Sequence, residues 1–180
     1  MPRSFRLTAA AAALLLTFAW SGRAQAQNFT AGSNHIAGVI GLGGIGDASV
    51  SIGGRFERAI KELPEMGNGM LGFEVSVDWW HYSGSFASES WSWTYIPISG
   101  TANYHFHVEG GEWDPFLGAG LGLWIVSDNC GSFDCGSSSG IYFVGRAGVR
   151  YFFQPAMAVY ADVGAGASTL NVGASFKVGS

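Results

Sequence analysis

Residues 170–178 read Leu-Asn-Val-Gly-Ala-Ser-Phe-Lys-Val, and this alternation decides the fold. Leu170, Val172, Ala174, Phe176 and Val178 share one parity and are all apolar, whereas Asn171, Gly173, Ser175 and Lys177 are polar or bare. Successive side chains of a strand point to opposite faces, so the stretch is a strand with one wholly apolar face. The segment before it repeats the pattern, with Met157, Val159, Ala161, Val163, Ala165 and Ala167 set against Tyr160, Asp162, Gly164, Gly166 and Ser168.

Upstream the same period returns. Leu117, Ala119, Leu121, Leu123 and Ile125 alternate with Gly118, Gly120, Gly122 and Trp124. Leu71 to Trp79 and Val50 to Phe56 do likewise, while Tyr95 to Val108 and Ile141 to Phe153 fit less cleanly. Pro97 has no amide hydrogen to give a ladder, so a strand start or a bulge is expected there. His35 to Gly46 is apolar on both parities and its faces stay unassigned. The total is eight strands of about nine to thirteen residues, where soluble sheets average about five or six. Ten residues tilted by roughly 40° rise about 25 Å, the height of the apolar band on a membrane barrel. The expected fold class is all-β, an eight-stranded antiparallel up-and-down transmembrane β-barrel.

Connections are expected to alternate in length. Glu109 to Asp114 and Gln154 to Ala156 read as tight turns, and Trp80 to Trp93 and Ser127 to Ser139 as long loops on the opposite side. Ala59 to Asn68 is long for a turn and is read with room for a helical turn. Aromatics gather at both sets of strand ends, and rings with a polar edge collect at membrane interfaces. The girdle residues expected from this are Trp79, Trp91, Trp93, Tyr104, Trp113 and Tyr151.

The 180 residues are 48% hydrophobic and only 12% charged, with 28 Gly, which excludes both a disordered chain and a helical bundle. The formal charge is −4 with no basic stretch, so nucleic acid is not an expected partner. Met1 to Ala26 carries Arg3 and Arg6, an apolar run from Leu7 to Trp20, and Ala24-Gln25-Ala26. Those are the three regions of a cleaved signal peptide. Residues 1–26 are therefore read as an export signal and residues 27–180 as one barrel domain.

The stretches Asn103-Tyr104-His105-Phe106 and Trp113-Asp114-Pro115-Phe116-Leu117-Gly118-Ala119-Gly120-Leu121-Gly122 resemble the small eight-stranded outer-membrane β-barrels. These are the outer-membrane protein W, opacity-protein and outer-membrane protein A transmembrane type. The resemblance covers roughly Asn34 to the end. It implies location in the bacterial outer membrane, with membrane lipids and lipopolysaccharide as surroundings. It also implies periplasmic chaperones and the barrel assembly machinery as partners during biogenesis. The family usually closes on a terminal aromatic, whereas here Phe176 is followed by Lys177-Val178-Gly179-Ser180.

Parity sends Arg55, Glu57, Glu74, Asp78, Arg146, Arg150, Asp162 and Lys177 into the lumen, together with His105 and His107. Unpaired charges in a narrow interior are expensive, so they are expected to pair. Arg146 and Arg150 are expected to bridge to Glu74 and Asp162, and Arg55 to take Glu57 or Asp78. Cys130 and Cys135 lie in one loop of an exported chain and read as an intraloop disulfide.

Three motifs read as incidental. Gly41-x-Gly43-x-x-Gly46 matches a dinucleotide fingerprint, but a strand follows where the pyrophosphate needs a helix N-terminus. Asn28-Phe29-Thr30 is a glycosylation sequon by pattern alone. Lipid A deacylases on such barrels need a Ser and a His two apart, facing the bilayer, with a carboxylate behind the imidazole. Ser33 and His35 have the spacing, but Ser33 precedes the strand. No cofactor, metal site or catalytic set is expected. The expected function is a non-enzymatic integral barrel with a structural, surface-interaction or minor small-solute permeation role. The alternatives are a soluble lipocalin-like barrel with its apolar face inward, and a lipid-modifying outer-membrane enzyme.

Overall fold

A computed structural model describes residues 29–44, 50–86, 89–129 and 138–179. The segment read as a signal peptide and the pair Cys130 and Cys135 lie outside the described residues. The strands are β1 (Asn34–Gly44), β2 (Val50–Leu63), β3 (Gly69–Phe86), β4 (Glu89–His105), β5 (Trp113–Asn129), β6 (Gly140–Gln154), β7 (Met157–Ala165) and β8 (Ser168–Gly179). Every neighbour pair is antiparallel, and β1 pairs with β8 to close the barrel. Closure leaves no strand edge unpaired, the condition for a sheet to cross a bilayer.

Three expectations about connections are corrected. Trp80 to Trp93 is not a loop: β3 and β4 run on through it as a hairpin paired to Phe86↔Glu89. Ala59 to Asn68 is half strand, because Ala59 continues the inward parity and is fully buried. What remains is one 3-10 turn, Pro64–Met66, followed by Gly67 (φ 81°) and Asn68 (φ 56°). Glycine and asparagine tolerate that left-handed backbone best, which fixes the turn there. Third, β4 neither starts after Pro97 nor changes register at it. The β3 ladder keeps one register from Val77↔Ile98 to Trp80↔Tyr95, and Pro97 pairs with Trp124 on the other side.

The barrel is polar inside and apolar outside. Arg55, Glu57, Glu74, Asp78, Asn103 and Asp162 are buried, while Leu121, Leu123, Val163 and Phe143 are exposed, the last at 82%. On β5 the outer row runs Pro115, Leu117, Ala119, Leu121, Leu123 and Ile125 before turning polar at Ser127 and Asn129. That row spans about 25 Å, one hydrocarbon core on a barrel. At the end carrying the termini, Trp113 and Tyr151 face each other across strands with rings 4.7 Å apart, and Tyr104 meets Phe106 at 5.0 Å. Arg58 is exposed on the same outer surface below Phe56 and donates to Asn34 Oδ1 at 3.0 Å.

Candidate functional site

The inward faces of β2 to β7 contribute charged groups to one ionic column in the lumen, and β8 adds Asn171. Near the terminal end, Arg150 on β6 holds two acids. Its Nη1 donates to Glu57 Oε2 at 3.1 Å, and its Nε and Nη2 reach Asp114 Oδ2 at 2.6 and 2.5 Å. His105 stands between the same two acids, with its ring nitrogens 2.8 Å from Glu57 Oε1 and 2.8 Å from Asp114 Oδ1. Asn103 Nδ2 adds a third bond to Glu57, at 2.8 Å. Higher up, Arg146 donates to Glu74 at 2.7 Å and lies 3.9 Å from Asp162, which accepts from Tyr160 at 2.5 Å and from Asn171 at 2.9 Å. Arg55 donates to Asp78 at 3.0 Å, with its Nε 3.9 Å from Glu74.

The pairings differ in part from the sequence reading. Arg150 takes Glu57 and Asp114, not Glu74 or Asp162. The sequence places Asp114 in a turn, yet β5 begins one residue before it and turns it inward. His107 lies beyond the end of β4 and is exposed, so it is not a lumen residue. Lys177 is only half-buried. Buried charges of this density persist because each acid has a cation or several hydrogen-bond donors beside it.

The terminal mouth is stoppered by the chain itself. Phe29 is 5% exposed, with its ring 4.0 Å from that of His105 and the Arg150 guanidinium 4.4 Å from its centroid. Residues 30–33 form a turn anchored to β2, with Gly32 N–H donating to Ala59 C=O and Ala59 N–H to Ser33 C=O, both at 2.9 Å. Below that stopper Ser33 Oγ lies 3.3 Å from His35 Nε2. Both residues are buried inside the barrel, and among the described residues His35 Nδ1 has no hydrogen-bond partner, so no described carboxylate orients the ring. The pair has the spacing of a lipase dyad without access to lipid.

At the far end Trp80 is fully buried and Trp124 stacks on Tyr142 at 4.0 Å. Of the residues read as a girdle, Trp79, Trp113 and Tyr151 are exposed on the outer surface and Tyr104 is half-buried there, its hydroxyl donating to Met66 C=O. Trp91 and Trp93 share the inward parity of Trp80's neighbour strand and do not face lipid. Trp91 lies across Gly84, where any side chain would meet its indole.

Among the described residues, cavities of about 20 and 10 Å3 lie in the lumen and one of about 30 Å3 at the terminal mouth, each the space of a water or two. Purified protein in a planar bilayer is therefore expected to show no steady large channel. Arg146→Ala combined with Phe29→Ala removes the mid-lumen cation and the stopper together and should raise conductance measurably. Large steady channels from the unaltered protein would refute the seal.

A closed eight-stranded barrel with a charged interior and an apolar outer belt is a barrel of the outer-membrane type. No family profile and no curated protein matches the chain. Among solved structures it is similar to the N-terminal β-barrel domain of Pseudomonas aeruginosa OprF, at 20% identity over 86% of this chain and 100% of that one, TM-score 0.46. It is also similar to Neisserial surface protein A, at 19% identity over 82% and 95%, TM-score 0.47. The outer membrane enzyme PagL aligns at 18% identity over 81% and 99%, TM-score 0.42.

Proposed function

We propose that this protein is a sealed, non-enzymatic barrel of the bacterial outer membrane whose role is exerted at its surface rather than through its lumen. The observation that carries the reading is the filled interior: three arginines and five carboxylates interlock along its length, and Phe29 closes one end. A conduit needs a hydrated path, and cavities of about 30 Å3 or less do not supply one. Burial of Ser33 and His35 beneath the stopper counts against acyl hydrolysis. The inward charges count against a lipocalin-like binder, whose cavity wall is apolar.

Fractionation tests the reading. The protein should sediment with the outer membrane, resist extraction by salt, and migrate faster unheated than boiled on a denaturing gel. Recovery in the soluble periplasm would overturn it. So would loss of an acyl chain from lipid A on overexpression, read by mass spectrometry, if it disappeared in Ser33→Ala.

A further inference from the structure

Beyond the apolar belt the sheet inverts its polarity. On the outer side of the β3–β4 hairpin stand His81, Ser83, Thr94 and Ser92, with His81 Nδ1 3.2 Å from Thr94 Oγ1. The inner side carries Trp80, Tyr82, Trp91, Trp93 and Tyr95. Ring contacts join them on that face: Tyr82 meets Trp91 at 4.9 Å, and Trp93 and Tyr95 lie parallel within 9° with centroids 6.1 Å apart. In the bilayer the apolar side must face out; in water it must face in, and the hairpin changes over at the height of Trp79. Unlike a packed core, this inner face is only half-buried, except for Trp80 at its base. Trp124 on Tyr142 closes the floor one step below, so the result is a blind aromatic cup.

We propose that this cup binds neutral β-linked hexoses. Asp128 is the direct cross-strand partner of Trp93, carries the inward parity of β5 and is exposed. Rings offer faces to the axial C–H groups of an all-equatorial sugar, and the carboxylate accepts from its hydroxyls. The stretches 80–86, 91–97 and 124–129 contain no Lys or Arg, so a sulfated or otherwise anionic glycan would find no cation in them and would meet the Asp128 carboxylate. An alkyl chain would cover that carboxylate without pairing it, which is costly.

The test uses the purified full barrel in a detergent without a sugar headgroup. Titration with cellotetraose and with chitotetraose, read by intrinsic tryptophan fluorescence and by saturation-transfer NMR, should saturate for at least one. Trp93→Ala and Asp128→Asn should each weaken binding by about tenfold or more, and sucrose octasulfate should not compete. The proposal is overturned if neither oligosaccharide saturates, if Trp93→Ala binds as before, or if the anionic sugar displaces the neutral one. The unheated gel mobility of each variant reports folding separately, and Asp128 is exposed enough to change without disturbing it. A failure here leaves the barrel and its location untouched, since those are read by mobility and fractionation.

Discussion

Arg150→Leu is expected to destabilise the barrel by about 3–5 kcal/mol, more than any other single change to its interior. The guanidinium is the cation shared by Glu57 and Asp114, and it also supports the Phe29 ring. Removing it strands two carboxylates in a space too small to hydrate them, with His105 the one charge-bearing neighbour between them among the described residues. Leucine fills much of the volume, so the loss measures the uncompensated charge rather than a cavity. Urea unfolding in detergent micelles, followed by the unheated and heated gel bands, reads it directly. The triple change Arg150→Leu, Glu57→Gln and Asp114→Asn should recover a large part of the loss, because residues of one network are strongly non-additive. A cost below about 1 kcal/mol for Arg150→Leu would mean that water reaches these acids and that the lumen is not sealed.

How much of this was legible in the sequence depends on what each feature requires. Parity is local, so the inward position of Arg55, Glu74, Arg146 and Asp162 follows from neighbours two residues away. Partner choice is not local. It depends on the stagger accumulated around the closed sheet, and parity says nothing about height. Arg150 therefore meets Glu57, 93 positions earlier, and Asp114, and not Glu74 or Asp162. Asp114 was missed for a different reason: Trp113-Asp114-Pro115 looks like turn chemistry, while the strand already starts at Trp113. His107 shows the converse error, an alternation read two residues past the last pair of β4.

Trp91 and Trp93 were misplaced because a Ser- and Gly-rich stretch reads as loop, although its alternation of small polar and aromatic residues is strand periodicity with the faces exchanged. Phe29 carries no periodic signal at all. Only the folded barrel shows that the turn at residues 30–33, just before β1, returns its ring to the mouth.

The change of face also fixes where the bilayer ends, and one pair of substitutions tests it. Leu121 and Ser127 have the same outward parity on β5 and differ only in height. Leu121 sits amid the outer apolar row, between Ala119 and Leu123, and is 53% exposed. Ser127 lies one step above Ile125, cross-strand from Thr94. Leu121→Arg places a cation near the midplane and should cost about 2–4 kcal/mol, as should Val163→Arg on β7. Ser127→Arg should change stability by no more than about 0.5 kcal/mol, because its side chain is already in the polar zone. The comparison is made by urea unfolding in lipid vesicles, since micelles blur the depth scale. Equal tolerance at Leu121 and Ser127 would show that the outer row does not lie in hydrocarbon. A large loss at Ser127 would instead raise the boundary and draw the outer face of the hairpin into lipid. The two outcomes separate cleanly because backbone, strand and parity are held constant and only distance from the midplane varies.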